Sequence, residues 1–268
     1  EMLKSVVVSS ANDCACALAE HVAGSEAAFV SRMNDRAAEL GMTDTHFVNC
    51  TGLDDGPDAD THLTTAYDIA LMSCKLLKHD EIKEYTTIWM DTVRNGQFGL
   101  SNTNKLVRFY DGTTGLKTGY TDKAGRTLVT CCERDGMRLI VVTLNDRSDW
   151  ADHAALYEYG FAAFARKRAV ARGEEYTLAP VRGGTQTSVP LAAGESFFYP
   201  VTAGEELLVS ARLPEELTAP LAAGQAVGEL IVSMDGEELA RVPLVCAETV
   251  AAAEKKQSLF ERLFDRTG

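Results

Sequence analysis

Two short strings hold the side chains best suited to chemistry. Lys117-Thr118-Gly119 sets a cation, a hydroxyl and a residue without a side chain in a row, after Gly112 and Gly115 and ahead of Tyr120-Thr121. Ser10-Ala11-Asn12 sets a hydroxyl and an amide two residues apart, just before a helical run. A lysine can neutralise an anionic group, a glycine lets a second backbone lie close, and a serine or an amide can handle a proton or hold a carbonyl. The plainer readings are that Ser10 or Asn12 caps the helix that follows, and that Lys117 is a solvated surface lysine.

Other chemistries find little support. The five histidines show no H-x-x-x-H or H-E-x-x-H spacing, and the chain has no G-x-S-x-G, G-x-G-x-x-G or Walker string. All five histidines read as structural. The seven cysteines are an odd number at irregular spacings without a C-x-x-C pair, and they read as buried free thiols. No metal and no cofactor is expected.

The elements that must position these strings are legible in outline. Apolar spacing predicts helices over residues 12–22 and from Ser25-Glu26 to about Leu40, the latter ended by Gly41. Residues 43–60 are rich in Thr, Asn, Asp and Gly and predict a long polar loop of the kind that often lines a site. A further helix is expected over 64–78, with a short one from Asp80 or Glu81. Two β-branched runs, 128–132 and 138–144, flank Asp135-Gly136 and predict a hairpin, and 150–165 return to helical periodicity. Beyond about Arg172 only short apolar runs remain between Gly and Pro turns, which predicts a small all-β domain. Residues 249–268 predict an amphipathic helical tail, with Leu259, Phe260, Leu263 and Phe264 on one face, either solvated or in peripheral contact with a membrane surface.

The two chemical strings match the S-x-N and K-T-G elements of penicillin-binding proteins, in that order. The flanks Ser9-Ser-Ala-Asn-Asp13, Gly41-Met-Thr-Asp-Thr-His-Phe47, Asn102-Thr-Asn-Lys105 and Gly115-Leu-Lys-Thr-Gly-Tyr-Thr-Asp-Lys-Ala-Gly125 resemble serine D-alanyl-D-alanine carboxypeptidases in particular. Ala219-Pro-Leu-Ala-Ala-Gly-Gln225 and Val242-Pro-Leu-Val245 resemble that family's appended C-terminal domain. The resemblance implies an α+β fold, with helices around an antiparallel sheet over 1–170, a β-sandwich over 171–248 and the tail over 249–268.

The resemblance also implies roles. Ser10 would pass a proton to the leaving amine, Asn12 would hold a substrate carbonyl, and Lys117 would serve the substrate carboxylate and keep a neighbouring lysine base neutral. Thr118 would donate to that carboxylate, Gly119 would admit the substrate as an extra strand, and the Tyr120 N–H would form half of an oxyanion hole. Arg147, in Asn145-Asp-Arg-Ser148, is a second carboxylate contact or an exposed loop arginine.

One element of the family pattern is missing. No serine is followed three positions later by lysine, so the S-x-x-K nucleophile, expected several tens of residues before Ser10, is not in this chain. The first domain therefore reads as N-terminally incomplete and inactive alone. The expected partner is a peptidoglycan stem peptide ending in D-Ala-D-Ala, with β-lactams as inhibitors, at the outer face of the bacterial cytoplasmic membrane. The alternative of a non-catalytic peptidoglycan-binding or scaffolding protein stays open, and a class A β-lactamase is disfavoured by the β domain and by the lack of an E-x-x-L-N loop. With 39 acidic against 26 basic residues, a net charge of −13 argues against nucleic acid as a partner.

Overall fold

The computed structural model describes residues 1–254 and divides the chain into two units, Glu1–Ala163 and Phe164–Gly268. The first opens with three helices, α1 (Met2–Ser9), α2 (Asn12–Ala23) and α3 (Glu26–Glu39). The opening helix was not expected, since its Val6-Val7-Val8 run carries little helix propensity. It is held by tertiary packing: Val8 is buried against Val93 and Leu100, and Lys4 pairs with Asp91 at 2.5 Å. Helix α3 begins where the sequence predicts, with the Ser25 hydroxyl accepting the Ala28 N–H at 3.1 Å, and Gly41 follows it at φ 75°.

The polar loop from Thr43 is pinned rather than loose. Asp68, buried near the start of α4 (Ala66–Leu76), accepts the Asp44 N–H at 3.0 Å and the Thr45 hydroxyl at 2.7 Å. The short helix α5 (Lys83–Thr86) leads to a hairpin of β1 (Met90–Val93) and β2 (Phe98–Ser101). Its four-residue strands are too short to stand out by alternation.

After the single turn α6 (Leu106–Phe109) comes an antiparallel meander of β3 (Thr113–Thr121), β4 (Gly125–Arg134) and β5 (Met137–Thr143). Asp135 and Gly136, at φ 50° and 73°, make the expected tight turn between β4 and β5. Helix α7 (Asp149–Ala163) packs on the meander through Tyr157, which is buried with Cys132 and Val141. Gly160 permits the close approach, because a Cβ there would lie 2.6 Å from Leu139 Cδ1.

The second unit is all β. Strand β6 (Ala165–Val170) lies in residues assigned from the sequence to the first domain, but it pairs with β9 (Phe197–Val201) in this unit. The other strands are β7 (Glu175–Arg182), β8 (Ser188–Ala193), β10 (Leu208–Arg212), β11 (Leu217–Thr218), β12 (Ala226–Met234) and β13 (Glu237–Cys246). They form a six-stranded sheet in the order β10-β12-β13-β8-β7-β11. Both sheets contribute to one apolar core, Val170 from the smaller and Leu191, Leu230 and Leu244 from the larger.

The tail expectation needs correction where it can be seen. Val250 and Ala252 bridge to Leu221 and Gly184, so the chain after Thr249 continues the β domain rather than starting a helix. Leu259, Phe260, Leu263 and Phe264 lie outside the described residues. The reading of the cysteines also changes in part. Cys131, Cys132 and Cys246 are buried free thiols, but Cys74 is exposed and Cys14, Cys16 and Cys50 are half-buried.

Candidate functional site

The two chemical strings meet. Lys117 and Ser10, 107 residues apart in sequence, are in hydrogen-bond contact, the Lys117 ammonium donating to the Ser10 hydroxyl at 2.8 Å and to its neighbour's carbonyl, Thr118 O, at 2.7 Å. Ser10 ends α1 in the left-handed region, at φ 56° and ψ 42°. For a residue with a Cβ that conformation costs about 1 kcal/mol, and the Ser10 hydroxyl meets Lys117. Neither Ser10 nor Asn12 caps α2. Its N-cap is Ala11, which makes no side-chain cap bond, and Asn12 is the first helical residue and stands exposed.

Lys117 comes from β3, where its register partner is Val129. Its environment is unfavourable for a charge: burial pushes its pKa down to about 8, and among the described residues no carboxylate pairs with it. A bound anion would relieve that. Strand β3 is also the edge of its sheet among the described residues, so its outer backbone groups are available to a further strand.

Beside this pair is a cleft of about 530 Å³ lined by Ser10, Thr103, Thr118, Gly119, Tyr120, Arg126, Thr127, Asp149 and Trp150. Thr118 donates its hydroxyl to Thr103 at 2.7 Å. Thr103 in turn is placed by a polar scaffold: its N–H donates to Val8 O at 3.1 Å, and the buried Asn102 amide donates to Ile88 O at 2.7 Å while accepting the Asn104 N–H at 2.8 Å. The Asn-Thr-Asn string is thus a bracket that holds one threonine against β3.

The far wall is an ion pair. Arg126 donates from Nε and Nη2 to the buried Asp149 carboxylate at 2.7 to 3.0 Å and stacks over Trp150 with 5.3 Å between guanidinium and ring. Thr103, Arg126, Asp149 and Trp150 were not picked out from the sequence. Only Thr103 carried a signal, its place inside the Asn102-Thr-Asn-Lys105 string.

The remaining expected residues fall as follows. Gly119 pairs with Thr127, and a Cβ on it would lie 2.4 Å from Thr127 Oγ1, so glycine makes room for a hydroxyl of the protein itself that lines the cleft. Tyr120 is exposed and its hydroxyl donates to Asp122 at 2.8 Å. Arg147 is exposed on the turn after β5 and does not line the cleft, but its turn is tied there, since the Asp146 N–H donates to Arg126 O at 3.0 Å. The polar loop reaches the same end of β3, with Thr121 donating to Asp54 at 2.5 Å and Lys123 paired with Asp60.

Histidines take no part in the cleft. His153 is buried between the hydroxyls of Thr130, at 2.7 Å, and Thr143, at 3.0 Å, and burial pushes its pKa down to about 4. A cluster of side chains able to hold a metal, Cys16, Glu26 and Cys50, lies among residues that do not line the cleft.

Comparison with known proteins follows the same division of the chain. The family described as D-alanyl-D-alanine carboxypeptidase matches residues 1–148, and the family described as penicillin-binding protein 5, C-terminal domain, matches residues 164–252. Among curated proteins, D-alanyl-D-alanine carboxypeptidase DacF of Bacillus subtilis is 32% identical over 264 residues, covering 94% of this chain and 66% of the relative. DacC of Escherichia coli is 32% identical, covering 99% of this chain and 66% of the relative. This chain therefore spans just under two thirds of the length of these two relatives. Among solved structures, a penicillin-binding protein of Streptococcus pneumoniae described as a peptidoglycan synthesis regulatory factor superposes with a TM-score of 0.78 at 29% identity, covering 93% of this chain and 76% of that one. Penicillin-binding protein D2 of Listeria monocytogenes, in a cefotaxime-bound form, gives a TM-score of 0.55 at 35% identity over 60% of this chain and 65% of that one.

Proposed function

The chain belongs to the D-alanyl-D-alanine carboxypeptidase family, and we propose that its cleft is the carboxylate-binding and proton-handling side of a serine acyl-transfer site that removes the terminal D-alanine from peptidoglycan pentapeptides. The observation that carries this reading is the 2.8 Å contact between Lys117 and Ser10, which lines the cleft. A desolvated lysine without a carboxylate partner, next to a threonine hydroxyl and a free strand edge, suits an extended peptide that ends in a carboxylate.

In this mechanism the substrate pairs along the outer edge of β3. Lys117 and Thr118 receive its terminal carboxylate, with Arg147 swinging in as a second contact from a turn already tied beside Arg126. The Asn12 amide holds a substrate carbonyl. Attack on the D-Ala-D-Ala peptide bond comes from the serine of an S-x-x-K pair, with its lysine as base and the Tyr120 N–H as half of the oxyanion hole. The bond to the leaving amine breaks as Ser10 passes it a proton, and water then hydrolyses the acyl-enzyme.

That nucleophilic pair is not among the 268 residues of this chain. We place it in sequence upstream of Ser10. The proposed setting is the outer face of the cytoplasmic membrane, with β-lactams acylating the same serine. Among the described residues no helix is long and apolar enough to cross a membrane.

Fluorescent penicillin tests the proposal. Covalent label on a form extended upstream to include S-x-x-K, and none on this chain alone, is the expected result. A folded extended form that takes no label would overturn it in favour of a non-catalytic peptidoglycan-binding protein.

A further inference from the structure

Away from the cleft residues, three side chains from distant points of the sequence converge. Cys16 on α2, Glu26 in the first turn of α3 and Cys50 in the polar loop bring their sulfur and oxygen atoms within 4.8 Å of one another. The two sulfurs are 3.8 Å apart. In a tetrahedral site with Zn–S bonds of about 2.3 Å, the edge between two thiolate ligands is about 3.8 Å, while a disulfide would need about 2.05 Å. In the metal-free protein the Cys50 thiol donates to the Cys16 sulfur across this distance, and the same spacing lets both bind one ion without rearrangement.

The surroundings suit a site rather than a chance encounter. One Glu26 oxygen accepts the Cys50 N–H at 3.1 Å, and the carboxylate also meets the Cys50 thiol, which orients it toward the two sulfurs. The loop segment carrying Cys50 is locked on both sides. Asn49 accepts the Thr51 and Gly52 N–H groups at 3.1 and 2.7 Å and donates to Leu53 O at 2.7 Å. Asn34 of α3 grips Phe47 through both N–H and carbonyl at 2.8 Å. Among the described residues Glu26 makes no ion pair, so two thiols and a carboxylate meet without a cation. All three are half-buried, which leaves a path for an ion and a fourth position for water.

We propose that Cys16, Glu26 and Cys50 form a binding site for one zinc-class divalent ion, with water as fourth ligand. Binding replaces two S–H bonds with two metal–sulfur bonds and releases two protons per ion, with no change of oxidation state. The ion would staple α2, whose first residue is Asn12, to α3 and to the loop that reaches β3 through Asp54 and Thr121. Its role is structural and does not depend on the acyl-transfer reading.

The test is a cobalt(II) titration of the reduced, metal-free protein, followed by displacement with zinc. One equivalent should produce thiolate-to-cobalt charge-transfer absorption with the visible bands of a tetrahedral ion, and about two protons should be released per ion bound. Cys16→Ser and Cys50→Ser should each weaken binding by more than about 100-fold and Glu26→Gln by at least about 10-fold, while Cys14→Ser and Cys74→Ser should leave it unchanged. If a cysteine variant fails to fold, the proton count on the unaltered protein and the Glu26→Gln titration still decide. Absence of the band, or its persistence in the Cys16→Ser/Cys50→Ser double variant, overturns the proposal. So does a pair of thiols that closes to a disulfide under mild oxidation and shows no metal binding when reduced.

Discussion

Among the described residues, every buried polar or charged side chain belongs to the first unit, from Ser5 to His153, whereas the second unit closes around fourteen buried side chains in one apolar cluster. The first unit's apolar interior is split into smaller groups around Val8, Leu116 and Tyr157. Hydrophobic burial has no direction, so it stabilises without placing atoms, while a hydrogen bond places atoms and contributes only about 1 kcal/mol net. The first unit commits its interior to placement. Asn102 holds Thr103, Asp149 holds Arg126, and α1 and β3 bring Ser10 to Lys117. The β unit commits its interior to cohesion.

The contrast can be broken most directly in the β unit. Leu230 is fully buried at the centre of its core, and Leu230→Ala should cost that unit about 2–5 kcal/mol in denaturant unfolding. A loss under about 1 kcal/mol would mean that the core is not continuous.

Lys117→Ala probes the other side. In a form carrying the nucleophile, it should lower kcat/KM by about 100-fold or more. Thermal stability should hold or rise slightly, because a desolvated charge without a carboxylate partner is being removed. With a pKa near 8, Lys117 loses its charge as pH rises through that value, so affinity for a ligand ending in a carboxylate should fall above about pH 8. A pH-independent affinity up to pH 9.5 would remove Lys117 from carboxylate binding.

Acid should separate the two units. His153 titrates near 6.5 in the unfolded chain and about 4 when folded, so between those values the unfolded state binds more protons and stability falls as pH drops. The second unit contains no histidine. Unfolding followed from pH 7 to 4.5 should therefore show the first unit weakening while the second holds, and His153→Gln should reduce the first unit's response, leaving the smaller part due to His62, whose pKa burial also lowers.

The smallest effect on stability is expected at Ser10. Ser10→Gly relieves the left-handed strain and should raise stability by up to about 1 kcal/mol, while turnover of a form carrying the nucleophile should fall as the proposed proton relay is lost. A variant that is both less stable and fully active would contradict the assignment of that strain to function.

Much of this could be read from the chain itself. Lys117-Thr118-Gly119 and Ser10-Ala11-Asn12 were visible as types and order, and the Ser25 cap, Gly41 and Asp135-Gly136 marked ends and turns that the structure keeps. These are local signals, set by backbone preferences within a few residues. Helix α1 and the β1–β2 hairpin gave no such signal, because both persist through contacts between them, Val8 with Val93 and Lys4 with Asp91.

What the sequence determined alone was the inventory: which groups are present, which turns must form and which β-branched runs alternate with polar ones. Tertiary structure decided which groups meet. The cleft draws Ser10, Thr103, Thr118, Arg126 and Asp149 from five segments, and Cys16, Glu26 and Cys50 come from three, at spacings that match no linear motif. Contacts of that kind depend on how strands pair and helices pack across more than a hundred residues, and no short window of sequence contains that information.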